Sequence, residues 1–284
     1  MHDQKGKQNF TSRVILFRSG GIGDILLTFP LLEILVKKFD ELMVCMPSKY
    51  HFLIREISPR ANLYDLDRGD KEVIKLAKGA LVISFWNDPK WTREWQSAGA
   101  SQVRSFDPRP VTGEHFAKSL LEKFASPTNR KELNRTWLSH GINSTKASAN
   151  NLWIHAGSGS VSKNLPFSEF IFFAEHWLEK NPAAMLFFSF GEADLKLVEE
   201  FSQHPISKRE NVKYKIFSSL KDFHSNLRMH SGSFAGNDSG PSHMAAMLGL
   251  ETHVWFRNTN AEVWAPLGPA VKIYQSESVP SKIL

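Results

Sequence analysis

The sequence predicts an α/β protein built on parallel sheets. Short apolar runs alternate with amphipathic helical stretches, which is the pattern of strands joined by crossover helices. The alternation lapses over a polar interval near 125–150 and then restarts. Each half also opens in the same way, with a strand, a glycine-rich turn and a helix: VILFRSGGIGD at 14–24 and LWIHAGSGSVSKNLP at 152–166. Two such units in tandem predict two Rossmann-like domains facing across a cleft, with ligands held beyond the carboxyl ends of the strands.

The elements follow in order. Residues 14–17 form a first strand, and 24–38 form one helix after the Ser19–Gly23 loop. Strands are expected at 42–46, 61–66 and 80–85, with helical pieces at 51–57 and 71–77 and a helix at 114–124. The second half places strands at 152–156, 184–190, 212–217, 233–235 and 252–256. Helices at 167–179, 193–203, 220–228 and 239–248 lie between them. The domain reading is a flexible tail at 1–12, a first domain at 13–130, a linker at 131–150 and a second domain at 151–284.

At 284 residues, with 42% apolar residues, the chain is long enough for two cores. Its single cysteine, Cys45, excludes an internal disulfide and fits a reducing compartment. No stretch approaches the ~20 apolar residues of a membrane span, and residues 1–12 lack the apolar core of a secretory signal. The expectation is a soluble cytoplasmic protein. Lys+Arg 35 against Asp+Glu 29 leaves +6, which favours anionic partners. No run of five or six basic residues marks a nucleic-acid tail, so no nucleic-acid partner is expected.

Three loops carry chemistry. Arg18-Ser19-Gly20-Gly21-Ile22-Gly23-Asp24 brings backbone N–H groups close to a ligand and sets a carboxylate at a helix start. It is not a dinucleotide fingerprint, because Leu26 stands where a small residue is required. Asp24 there suits a general base; a helix cap, with glycines serving only the turn, explains it as well. His155-Ala156-Gly157-Ser158-Gly159-Ser160 with Lys163 forms an anion cradle before the next helix, or an ordinary connection with a solvated lysine. Gly236-Asn237-Asp238-Ser239-Gly240-Pro241-Ser242-His243 offers free helix N–H groups, a hydroxyl and an imidazole to a diphosphate. A cap and a first-turn proline account for all of that loop except His243.

Two weaker signals stand beside these. Asp65-Leu66-Asp67 matches a short cation-binding pattern but reads as a solvated turn. Trp86, Trp91 and Trp95 with Lys90 and Arg93 form either a sugar-stacking, anionic-acceptor surface or a packed loop. No metal-ligand spacing occurs, so neither metal nor cofactor is expected.

Taken together, RSGGIGDILLTFPLLEILVKKF at 18–39, IHAGSGSVSKNLPFSEF at 154–170, GNDSGPSHMAAMLGLETHVWF at 236–256 and the trailing WAPLG at 264–268 resemble glycosyltransferase family 9. This is the heptosyltransferase group of lipopolysaccharide core biosynthesis. One position departs: Lys163-Asn164-Leu165-Pro166 lacks the tryptophan the family usually carries before the proline. The resemblance implies the glycosyltransferase B fold and inverting, metal-independent transfer of a heptose-like sugar. The implied donor is a nucleotide-sugar such as ADP-heptose, and the implied acceptor a saccharide or lipid-linked core. Carried over by position, Asp24 is the general base, with Arg18, Gly21 and Gly23 on the acceptor-side loop. Ser158, Lys163, Glu192, Asp238, Ser239, Gly240 and His243 hold the donor. The basic balance suits work at an anionic membrane face. The alternative is a non-catalytic nucleotide-sugar-binding module of the same fold.

Overall fold

The computed structural model describes residues 12–124, 130–138, 150–230, 232–276 and 278–279. Residues 1–11 of the expected 1–12 tail and most of the expected linker lie outside them. Contacts divide the chain into two units: residues up to Ser19 with Leu31–Arg109, and Gly20–Pro30 with the chain from Pro110 onward. The short segment after the first strand thus groups with the second unit.

From the amino end run β1 (Arg13–Phe17), α1 (Ile22–Leu26), α2 (Phe29–Lys38), β2 (Glu41–Met46), α3 (His51–Ile57), β3 (Asn62–Asp65), β4 (Leu81–Ser84), α4 (Pro89–Ser97) and β5 (Gln102–Ser105). The first sheet has the order β3-β2-β1-β4-β5, parallel throughout. Its central strand β1 is buried from Val14 to Phe17, as expected of a strand covered on both faces.

The single helix expected at 24–38 is two helices. Pro30 has no N–H to donate and is tolerated only in a first turn, so α2 begins at Phe29. Thr28 turns its hydroxyl back onto the Asp24 carbonyl at 2.8 Å. The helical piece expected at 71–77 is reduced to a 3-10 turn at Ile74–Leu76.

The aromatic-basic stretch is α4, capped by Asp88, whose carboxylate accepts from the Lys90 N–H at 2.8 Å. Trp95 is fully buried against Phe17, and Trp91 meets Phe17 edge-on while its indole N–H donates to Asp70 at 3.0 Å. Of the two readings, packing accounts for Trp91 and Trp95. Asp65 is a turn residue: one carboxylate oxygen accepts from the N–H groups of Ser48 and Asp67.

The chain continues with α5 (Phe116–Glu122), α6 (Arg130–Leu133), β6 (Leu152–His155), α7 (Phe167–Lys180), β7 (Leu186–Gly191), α8 (Leu195–Gln203), β8 (Val212–Phe217), α9 (Leu220–Leu227), β9 (Ser233–Asn237), α10 (Gly240–Met247), β10 (Glu251–Trp255), α11 (Ala261–Trp264) and β11 (Val271–Tyr274). The second sheet has the order β8-β7-β6-β9-β10-β11, again parallel. Its core is phenylalanine-rich: Phe170 and Phe173 pack edge-on against Trp255, and Phe188 and Phe190 pack against Phe201.

Both sheets wind outward from their first strand, to one side and then the other. The order therefore reverses between β1 and β4 in the first sheet, and between β6 and β9 in the second. Open α/β sheets bind ligands at such reversals, beyond the carboxyl strand ends. Among the described residues no helix is long and apolar enough to cross a membrane.

Candidate functional site

The reversal in the second sheet brings together the loops after β6 and β9. β9 ends at Asn237, and Ser239 is the N-cap of α10, with Pro241 in its first turn. Ser239 makes no side-chain cap bond, so the first N–H groups of α10 keep their hydrogen-bonding capacity. Asp238, Ser239 and His243 are all buried. On the β6 side, Val161–Lys163 forms a 3-10 turn that presents Lys163.

The two loops meet through charge. Lys163 Nζ lies 2.8 Å from Asp238 Oδ2, and His243 Nε2 lies 3.8 Å from Asp238 Oδ1. Burial by itself would raise the Asp238 pKa, but His243 and Lys163 outweigh it and hold the carboxyl down at about 2. His243 Nδ1 is buried with no hydrogen-bond partner among the described residues. A half-exposed lysine held by a buried carboxylate, beside a buried imidazole and the open N–H groups of a helix start, is a ready seat for an anionic group that takes over the lysine.

Asn237, a member of the third loop to which the sequence assigned no role, holds this arrangement. Its fully buried side chain donates to the Ala156 carbonyl at 2.6 Å and accepts from the Leu165 N–H at 2.9 Å. Ser242 Oγ donates to the Asn237 carbonyl at 2.6 Å. The sequence signal for Asn237 is its place in the Gly236–His243 loop, just past the expected strand at 233–235.

The 20–30 segment joins the same unit. The Asp24 carboxylate accepts from the Gly21 N–H at 2.8 Å, closing the first turn of α1. Gly20 has φ +116°, and a Cβ there would stand 2.5 Å from Asp24 Oδ2, so this turn requires glycine. A Cβ on Gly23 would stand 3.2 Å from His243 Cδ2, and one on Gly240 would collide with Ile22 Cγ2. The starts of α1 and α10 thus pack directly on one another, with Asp24 next in the chain to the glycine that supports His243.

The remaining expected residues fall elsewhere. Arg18 is buried in the first unit, its guanidinium 4.2 Å from the Phe85 ring centre. This stacked pair joins the ends of β1 and β4, at the reversal of the first sheet. Ser158 closes its own loop, donating to the Ser160 carbonyl at 2.8 Å. Glu192 is exposed in the turn after β7 and makes no side-chain hydrogen bond among the described residues. Its neighbour Asp194 accepts from the Gly191 N–H at 2.8 Å and lies 4.0 Å from the buried His155. No group of three or more His, Cys, Asp or Glu side chains converges among the described residues.

No family model matches the chain, and neither does any curated relative. Solved structures do match. A glycosyl transferase family 9 protein from Veillonella parvula superposes with a TM-score of 0.70 at 16% identity, over 93% of this chain and 86% of that one. The ADP-heptose LPS heptosyltransferase II of E. coli gives 0.68 at 12% identity, over 94% and 92%. An E. coli heptosyltransferase solved with ADP gives 0.63 at 12%, over 94% of each chain. The fold is therefore that of the glycosyltransferase B enzymes, and the resemblance read from the three loops holds at the level of fold.

Proposed function

We propose that the chain is a glycosyltransferase that moves a sugar from a nucleotide-sugar donor to a saccharide or lipid-linked acceptor with inversion, without a metal. The Lys163–Asp238–His243 cluster at the reversal of the second sheet carries this reading, because it is built for an anionic leaving group. The fold shared with proteins solved with ADP or named for ADP-heptose supports an ADP-heptose-like donor and an acceptor of the lipopolysaccharide-core type.

Inverting transfer is a single displacement. The acceptor hydroxyl loses its proton to a base as its oxygen bonds the anomeric carbon, and the diphosphate leaves on the opposite face. Asp24 is the base. Lys163 and the N–H groups of Gly240 and Ser242 take up the charge that develops on the leaving oxygen, where fixed donors are most effective. Lys163 reaches the phosphates by exchanging Asp238 for them. His243 and Ser239 orient the phosphate–sugar junction, and Glu192 reaches the nucleoside. The exposed Lys90 and Arg93 face an anionic acceptor or membrane surface, the buried Arg18 shapes the acceptor-side loop from beneath, and the protein works in the cytoplasm.

One observation favours the other reading, a module that binds nucleotide-sugars without transferring them: the Asp24 carboxylate already has a structural task on the Gly21 N–H. Asn at position 24 retains an acceptor for that task and loses only basicity. Asp24→Asn should therefore lower release of nucleoside diphosphate by ~10²–10⁴-fold at unchanged donor affinity. Wild-type turnover in that variant would leave Asp24 as a cap only.

A further inference from the structure

Fixing a lysine on a loop requires that the loop be held at both ends. The connection from β6 to α7 runs from Ala156 to Pro166 and carries Lys163 on a single 3-10 turn. Its first residue and its last-but-one residue are both gripped by one side chain. Asn237 donates from Nδ2 to the Ala156 carbonyl at 2.6 Å and accepts at Oδ1 from the Leu165 N–H at 2.9 Å. The residue that follows it, Asp238, takes the lysine itself.

The two bonds have opposite polarity. The side chain must donate with one arm and accept with the other, over the reach of a single planar group. Among side chains of this length only the asparagine amide does so. Aspartate could still accept from Leu165 but would set a carboxylate oxygen against the Ala156 carbonyl. Leucine would orphan both buried backbone groups. Two outer contacts brace the same turn: Arg257 Nη1 to the Asn164 carbonyl at 2.6 Å and Asn258 Nδ2 to the Ser162 carbonyl at 2.7 Å. Both are exposed, whereas Asn237 is completely enclosed.

We infer that Asn237 is a positioning residue, whose two-armed clamp sets the β6–α7 loop so that the Lys163 ammonium stands at the anion seat of α10. The inference rests on the role proposed for Lys163 at the donor phosphates. Asn237 itself touches no substrate. It acts by reducing the freedom of a long cationic side chain before the ligand arrives, and so lowers the ordering cost of binding.

The test has two readouts, one with a ligand and one without. With ADP as the probe, Asn237→Ala should weaken binding about tenfold, the cost of ordering one long side chain on binding. Lys163→Ala should weaken it as well, and the double variant should bind no worse than Lys163→Ala alone. A merely destabilising substitution would instead add its loss to that of Lys163→Ala, and additive losses overturn the inference.

Without ligand, the acylation rate of Lys163 and the exchange protection of the Leu165 amide are compared in the folded wild type and variant. Asn237→Ala should raise Lys163 acylation toward that of Asp238→Asn and release the Leu165 amide, while β9 and β10 stay protected. Unchanged labelling and protection in a folded variant overturn the inference. If Asn237→Ala does not fold, Asn237→Asp, which keeps one arm, is read in the same way. If wild type fails to bind ADP while the Lys163 labelling still responds to Asn237, the proposed donor site falls and the positioning role stands.

Discussion

His243 lies so close to Gly23 that a single methyl group there would press on the imidazole, 3.2 Å from Cδ2 and 3.3 Å from Nε2. The same Nε2 stands 3.8 Å from the Asp238 carboxylate. A residue near the amino end therefore sets how far the ring can move from the carboxylate it faces.

Gly23→Ala should leave the fold intact, because alanine at this helical position is favoured over glycine by roughly 0.5–1 kcal/mol, which offsets the crowding. Displacing the imidazole by a few tenths of an ångström should nevertheless lower turnover by about tenfold, since catalytic geometry tolerates small shifts poorly. Thermal melting and nucleoside diphosphate release, measured side by side, check both halves. A variant as active as wild type would detach His243 from the chemistry.

Gly240→Ala drives a methyl into Ile22 Cγ2 and should destabilise the protein by about 1–3 kcal/mol. Shortening the opposing side chain makes room, so most of that loss should disappear in an Ile22→Ala background. Denaturant unfolding of the two single variants and the double variant gives the coupling directly. A purely additive result would show that the two helix starts do not press on one another in solution.

Asp238 titrates at about 2 in the fold, against an ordinary 3.8. Its folded pKa is depressed, so the stability it contributes is present above pH 3.8 and is lost as the pH falls toward 2. The difference corresponds to about 2 kcal/mol. Asp238→Asn should be less stable than wild type at pH 7 by about that amount, and the two should converge by pH 2. Equal stability at pH 7 would mean that the His243 and Lys163 contacts of the carboxylate add nothing.

His253 is buried between β10 and its aromatic neighbours, stacked on Tyr274, with Nδ1 3.0 Å from the Tyr274 hydroxyl. Burial is the main cause that pushes its pKa down to about 4, and Glu251 recovers only part of the shift. The unfolded chain binds this proton from about pH 6.5 downward and the folded chain only near 4, so stability declines across that window. His253→Gln should flatten the decline by about 3 kcal/mol in unfolding curves taken from pH 7 to 4. His224, also held near 4 by burial, keeps part of the slope in that variant.

The sequence made legible what periodicity and glycine can report. β8 lies at 212–217 as expected, and the other strands expected from apolar runs lie within two residues of their expected bounds. The strands it did not reveal, β5 and β11, are edge strands with no fully buried residue, so no apolar run marks them. α4 was hidden because its buried face is tryptophan, which serves a core and a ligand surface equally well. Lys163, Asp238 and His243 were named in advance from two loops, and the structure brings them together. Asn237 was named in its loop but without a role, because a clamp is defined by its partners at 156 and 165, and no local pattern encodes them. The grouping of Gly20–Pro30 with the second unit was equally invisible, since it depends on Ile22 meeting Gly240.

That last contact also fixes a timetable. Ile22 and Gly240 are separated by 218 positions, whereas neighbouring strands β1 and β2 pair across 28. Closing the longer loop costs about 2 kcal/mol more chain entropy, so local sheet pairing precedes it. At a synthesis rate of ~5–20 residues per second, α1 waits roughly 10–40 s after emerging before its partner helix exists. The nascent chain can therefore complete its first sheet while the segment bearing Asp24 is still undocked. The packing of the two helix starts is then completed late in biosynthesis, gated by the ribosome's progress through the codons for 236–247.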